Sequence, residues 1–335
     1  MVKAMFKNKT VLLITLLVIL NIIIFFLSIS FGSVNIPLKE VFLGLFNKSK
    51  DSGTNTIINS IRLPRVLASF LSGIALACSG LILQTITRND LCAPNIIGIN
   101  SGAGFFVILA LCIFPMAYYL LPLFAFLGAT LASFIVITLA STSKRNSPAN
   151  LILGGVAVSA LFNAGISFFS SKYPDILSSY TSFSIGGFSN IYIENIIVPG
   201  IIIILGIIST IIISPRLNIL CLGDQMASSL GIRVKALRII SIIIASSLCA
   251  ASVSYAGLIG FIGLIVPHIS RKLVGNNIKE LTIVTLLIGS SLLTISDLLG
   301  RVIFAPSEIS CGIIISLIGA PFFLFLLLKR REIND

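Results

Sequence analysis

Eleven acidic residues and one histidine are all the carboxylates and imidazole that this 335-residue chain offers for proton transfer. His268, Asp297 and Glu308 lie closest to the apolar segments, each near a segment end. Carboxylates and imidazoles placed in series within a membrane mark proton- and ion-coupled carriers, and three separated groups at segment ends do not form such a relay. No G-x-x-x-x-G-K-[ST] run is present to cradle ATP phosphates, and no H-E-x-x-H run to hold zinc. No Ser/His/Asp grouping occurs either. Cys78, Cys92, Cys112, Cys221, Cys249 and Cys311 lack C-x-x-C spacing and read as small apolar packing residues. The sequence therefore predicts no catalytic residue, no resident metal and no cofactor held by this chain.

What remains is the chemistry of association. Asp297 and Arg301 are spaced i, i+4 and can pair on a helix. Arg301 joins Arg62 and Arg65 as three arginines at segment ends. They read either as anchors at lipid headgroups or as a patch whose guanidinium forks receive the carboxylates of a docking partner. A second candidate is the polar loop 215–231, followed by Arg233, Lys235 and Arg238. Gly223-Asp224 predicts a helix start with Asp224 as the capping side chain, and Leu230-Gly231 predicts its stop. Between them Leu222, Met226 and Leu230 fall four apart, on one face of about two helical turns. So short a helix is marginal in water on its own, so it is expected to rest against another surface.

The elements that position these groups are membrane spans. The chain is 56% apolar and 10% charged, with mean hydropathy +1.11, which identifies a polytopic membrane protein. Apolar runs near 11–31, 61–87, 98–114, 119–140, 150–170, 193–213, 237–256, 258–272, 281–298 and 309–328 predict about ten spans. A span needs roughly 20 residues, so the runs at 98–114 and 258–272 predict short helices, tilted or half-spanning. Lys3, Lys7 and Lys9 precede an apolar run longer than a signal-peptide core, which reads as a first span rather than a cleaved leader.

The basic residues set the orientation. With the N-terminus inside, Lys3, Lys7, Lys9, Arg88, Lys144, Arg145, Arg216, Arg233, Lys235, Arg238, Arg271, Lys272, Lys279, Lys329, Arg330 and Arg331 are cytoplasmic. Lys39, Lys48, Lys50, Arg62, Arg65, Lys172 and Arg301 remain outside. Both termini are thus predicted to be cytoplasmic. The net charge of +12 is a topology signal dispersed over loops, unlike the clustered patch of a nucleic-acid-binding protein. No linker divides the chain, which reads as one transmembrane domain, 1–335, with polar external loops at 47–60 and 171–192, a short basic inner loop at 141–150, and a loop at 214–236.

A weak internal repeat is suggested. Arg62-Leu-Pro-Arg65 opens a helix carrying Ser69, Ser72, Gly73, Ala75, Ala77, Ser79 and Gly80, which leads into Gly- and Pro-containing backbone at 94–104. Arg233 through Arg238 opens a second, carrying Ala245, Ser246, Ser247, Ala250, Ala251 and Ser252, which leads into 257–267. Five spans apart, the two would point oppositely, as inverted transporter repeats do. Small residues let helix backbones approach closely in lipid. Gly257, Gly260 and Gly263 stand three apart, Pro267 is expected to break or kink its helix, and His268 is expected to make a structural hydrogen bond.

Arg62-Leu-Pro-Arg65, Gln84, Arg88-Asn89, Pro94, Gly98, Ser101-Gly-Ala103, Leu217-Asn-Ile-Leu220 with Leu222-Gly-Asp224, Leu230-Gly231, the run 257–271, and Pro306-x-Glu308 through Gly319-Ala-Pro-Phe-Phe323 occur together in this order. In them the chain resembles the FecCD-type permeases of ATP-binding-cassette (ABC) importers for iron–siderophores, haem and cobalamin, from about Ile61 to Leu328. The resemblance implies an all-α subunit of ten helices with the type II, cobalamin-permease-like fold, in a bacterial inner or plasma membrane. It implies a second permease subunit, identical or not, two cytoplasmic ATPase subunits that hold ATP and Mg, and an external substrate-binding protein. The implied cargo is an iron–siderophore, with haem or cobalamin as alternatives. A coupling helix that docks on the ATPase is implied at Gly223, Asp224, Ala227, Leu230 and Gly231, with Leu222 and Met226 on its apolar face. Arg62, Arg65 and Arg301 would receive acidic residues of the binding protein, and Asn89 and Leu91 would belong to the cytoplasmic gate. Asp90 stands where the family usually has Pro, Cys92 where Ala is frequent, Ser310 in place of a common Pro, and Phe183 in place of a common Trp. Asp90 would set a negative charge beside the gate.

Overall fold

The computed structural model describes residues 2–49, 51–142 and 148–331. Lys50, Lys144 and Arg145 of the charge count lie outside the described residues, as do the side chains of Lys3, Lys7, Lys329, Arg330 and Arg331. The described residues are helical, with no strand among them. The chain runs through α1 (Val2–Ser30), α2 (Leu38–Leu45) and α3 (Ser52–Thr56), then a π-helical turn (Ile57–Arg62) into α4 (Leu63–Thr87). It continues through α5 (Ile99–Ile113), α6 (Leu121–Thr142), α7 (Pro148–Lys172), α8 (Leu177–Ile185) and α9 (Ile193–Cys221). The last elements are α10 (Asp224–Ser229), α11 (Val234–Ala256), α12 (Ile262–Val274), α13 (Ile278–Val302) and α14 (Cys311–Arg331). Seven helical stretches, including the continuous Ser52–Thr87, are long and apolar enough to cross a membrane. With the shorter α5, α12 and α14 they stand on the ten apolar runs of the sequence.

The two short runs are where the structure departs from plain spans. Helix α12 has 13 residues, about 20 Å against a hydrocarbon core of about 30 Å. It starts at Ile262 rather than 258, because the segment 257–261 is unwound. Gly257 there takes φ +71°, and Phe261 takes φ +62°, an unusual conformation for a bulky residue. Helix α5 has 15 residues and follows a 3-10 turn, Pro94–Ile97. Irregular backbone at membrane depth persists only where its polar groups find partners. Here Leu258 N–H donates to the Phe183 carbonyl at 3.1 Å and Gly187 N–H to the Ala256 carbonyl at 2.8 Å. The two breaks adjoin: a Cβ built on Gly263 would lie 3.1 Å from Pro94 Cδ, and one on Gly260 3.4 Å from Asn95 Nδ2. The order long helix, break, short helix thus occurs twice, as α4–α5 and as α11–α12.

Helix α4 is the centre of the bundle. It is buried along most of its length and packs against α9, α11, α12 and α13. The small residues seen in the sequence permit this. A Cβ on Gly80 would overlap the Gly263 carbonyl oxygen, and one on Gly73 the Gly289 carbonyl oxygen. Hydrogen bonds then tie the faces together. Ser79 Oγ donates to the Ala245 carbonyl at 2.7 Å, and Ser72 Oγ to Tyr255 Oη at 2.8 Å. Asn21 does the same for α1, donating to the Leu287 carbonyl of α13 at 3.0 Å and accepting from Ser290 Oγ at 2.7 Å. Gly80→Ala is therefore expected to force α12 away from α4 at a cost of about 1–3 kcal/mol. It should lower the thermal unfolding midpoint of the purified protein in detergent. A wild-type midpoint would mean that the backbones do not meet there.

Candidate functional site

The short helix of the polar loop exists, as α10. Its glycines serve the backbone rather than packing: Gly223 takes φ +124° and Gly231 φ +81°, and a Cβ on either would meet nothing within 4 Å. The end is a Schellman motif, with Ile232 N–H donating to the Ala227 carbonyl at 3.0 Å and Gly231 N–H to Ser228 at 2.9 Å. The start differs from expectation. Gly223 is the N-cap, and Asp224 makes no capping bond but is the first helical residue. Its Oδ1 instead accepts from Arg88 Nη2 at 2.5 Å and from Arg238 Nη2 at 2.9 Å. Two guanidiniums close by outcompete a backbone cap for the carboxylate, because charge-assisted bonds are the stronger.

The helix rests on its own subunit through Ala227, which is fully buried, beside α9 and α11. Of the predicted apolar face only Met226 lies within α10, since Leu222 ends α9 and Leu230 is the C-cap; all three are nonetheless exposed, at 66% for Leu222, 54% for Met226 and 58% for Leu230. Open clefts flank it, one of about 630 Å³ bordered by Ser228, Lys235 and Arg238, another of about 750 Å³ bordered by Arg88, Leu222 and Met226. Exposed apolar side chains that border an open cleft are a surface that another protein can cover.

Beside it, residues 88–92 form a tight turn that ends α4. Arg88 takes the left-handed φ of +50°, Asn89 Oδ1 accepts from Leu91 N–H at 3.0 Å, and Cys92 N–H donates to the Asn89 carbonyl at 3.0 Å. Asn89 and Leu91 are half-buried within this turn. The charge of Asp90 is balanced: its Oδ1 lies 3.1 Å from Arg271 Nη1 on α12. Arg271 also donates to Gln84 Oε1 at 2.5 Å. His268, expected to form a hydrogen bond, instead meets Phe322 edge-on at 6.0 Å between ring centroids, and its Nε2 is buried with no hydrogen-bond partner among the described residues.

At the opposite end, Arg62, Arg65 and Arg301 come together, but they are buried in the fold rather than presented on a surface. Arg62 Nη1 donates to the carbonyls of Ile29 at 2.6 Å and Ser30 at 2.9 Å, and Nη2 to that of Val34. Arg301 Nη2 donates to the Ser28 carbonyl at 3.0 Å, and its Nε lies 3.2 Å from Asp297 Oδ2, the pairing read from their spacing. Both therefore cap the C-terminal carbonyls of α1, where cations are favoured. Arg65 forks onto Asp297, with Nε at 3.0 and 3.1 Å and Nη2 at 2.9 Å, and its Nη1 reaches Glu308 at 2.7 Å. Any carboxylate arriving from outside must therefore displace a present partner. Glu308, whose side chain is 37% exposed, is the one placed to leave.

The sequence profile of the FecCD transport family matches residues 19–329. The chain belongs to the FecCD transport family. Its relatives include the Fe(3+)-citrate import system permease protein YfmE of Bacillus subtilis, 36% identical over 96% of both chains. The iron(3+)-hydroxamate import system permease protein FhuG of the same organism is 37% identical, over 97% of this chain and 98% of that one. The probable heme-iron transport system permease protein IsdF of Staphylococcus aureus is 34% identical, over 98% of this chain and 99% of that one. A solved structure described as an inward-facing metal-chelate type ABC transporter superposes with a TM-score of 0.84 at 31% identity, covering 95% of this chain and 99% of that one. This FecCD chain is a transport permease with no ATPase site of its own.

In the FecCD permease no local spacing marks the pairings Arg88–Asp224–Arg238 and Asp90–Arg271, since their members come from separate elements. The only signal was charge: all five lie in segments that the orientation count puts on one side of the membrane.

Proposed function

We propose that the chain forms, with a second permease subunit, the translocation pathway of an ATP-driven importer of chelated iron, an iron–siderophore complex in the first place. Haem is the alternative that the relatives' names leave open, and cobalamin the one that the family resemblance adds. The relatives are named for citrate, hydroxamate and haem carriers, chelators that share iron and little else. The observation that carries the mechanism is the exposed apolar surface at α10. Leu222, Met226 and Leu230 offer it to the groove of a cytoplasmic ATPase, one per permease subunit, which holds ATP and Mg. Hydrolysis moves α10, and the two permease subunits rock about a shared cavity. The adjoining breaks at 94–98 and 257–261 line that cavity, since irregular backbone within a bilayer belongs beside a pathway. Asn89 and Leu91 close its cytoplasmic end.

Both termini face the cytoplasm in this reading, and the Arg62 end faces outward. An external binding protein docks there, its carboxylate taking the place of Glu308 on Arg65. Purified permease, ATPase and binding protein in proteoliposomes should accumulate radiolabelled iron–siderophore only with ATP present. Uptake by this chain alone, driven by an ion gradient, would refute the reading.

A further inference from the structure

The turn 88–92 is held by two ion pairs that lead to different elements. Arg88 reaches Asp224 at the start of α10, and Asp90, two residues on, reaches Arg271 of α12. Arg271 is itself anchored, by the 2.5 Å bond to Gln84 Oε1, while Gln84 Nε2 donates to the Gly263 carbonyl at 3.2 Å, next to the unwound segment. Ala93, which follows the turn, packs with Leu264 and Ile265 of α12 and with Phe322 and Phe323 of α14. Behind the turn lies a cavity of about 260 Å³ bordered by Arg88, Asp90, Cys221 and Arg271, which leaves it room to tilt. Both pairs are partly exposed, so they are weak enough to be remade in each cycle.

We propose that residues 88–90 act as a rocker: Arg88 takes up the displacement of α10, and Asp90 passes it through Arg271 to α12 and the pathway break. The inference rests on the proposed roles of α10 as the ATPase contact and of this turn as the gate. It gives Asp90 a positioning role.

The test uses the complete transporter in proteoliposomes, with cargo uptake and ATP hydrolysis measured together. Asp90→Asn should leave the basal hydrolysis rate unchanged and lower uptake per ATP by roughly 2- to 30-fold, the range of coupling effects along such links. Asp90→Glu should stay near wild type. Arg271→Ala should lose at least as much as Asp90→Asn, since it also gives up the Gln84 bond, and the double variant no more than Arg271→Ala alone, because Asp90 acts through Arg271. A wild-type ratio for Asp90→Asn, or additive losses in the double variant, would overturn the rocker. Met226→Asp, run in parallel, separates the two levels. If it uncouples while Asp90→Asn is silent, α10 is the contact and the rocker is wrong. If Met226→Asp transports normally, the underlying reading fails and the rocker with it.

Discussion

Met226→Asp is expected to abolish ATP-driven uptake while the permease still inserts and folds. The side chain is more than half exposed, as are those of Leu222 and Leu230, so the fold itself loses little. In the proposed ATPase contact that surface is dry, and an unpaired carboxylate there carries a desolvation cost. Apolar anchors at the centre of an interface are worth about 2–4 kcal/mol, equivalent to roughly 30- to 1,000-fold in affinity. Co-purification of the ATPase subunit and uptake in proteoliposomes should both collapse. ATPase subunits that remain bound, with stimulation by the binding protein intact, would remove α10 from the contact.

Asp297→Ala should cost about as much in stability as any single substitution in this chain. It removes the carboxylate on which Arg65 forks and beside which Arg301 lies, where all three side chains are nearly inaccessible. Breaking a buried pair by deleting one partner costs about 3–5 kcal/mol, because the remaining charges stay buried without compensation. Glu308→Gln, at the exposed edge of the same network, should cost only about 0–1 kcal/mol. Thermal unfolding in detergent distinguishes them: a large fall for Asp297→Ala and nearly none for Glu308→Gln. Equal midpoints would show that the network is not load-sharing as its geometry implies. For the same reason, reversing the charge of Arg62, Arg65 or Arg301 perturbs folding before it perturbs docking. Glu308 is the cleaner position at which to study an external partner.

Short-range spacing and solvent preference can be read directly along the chain. Apolar runs of membrane length located the helices, because lipid offers no other partner for backbone polar groups. Gly223 and Gly231 bounded α10, and Met226 and Leu230, four apart, marked its exposed side, while Leu222 proved to end α9. The i, i+4 pairing of Asp297 with Arg301 was legible for the same reason. Which polar groups meet depends on how distant helices pack. Arg65 and Asp297 lie 232 residues apart, and Arg88 and Asp224 lie 136. The arginines read as a docking patch lie buried among such partners, and the residue read as a helix cap is the hub of an ionic link. Likewise, Gly257 and Gly260 marked a short, glycine-rich run, but the groups that satisfy its unwound backbone are not local, since they come from Phe183 and Gly187. Helix faces follow from spacing along one chain segment. The fate of a charge in a low-dielectric interior depends on which distant helix packs beside it, a distance that no local pattern encodes.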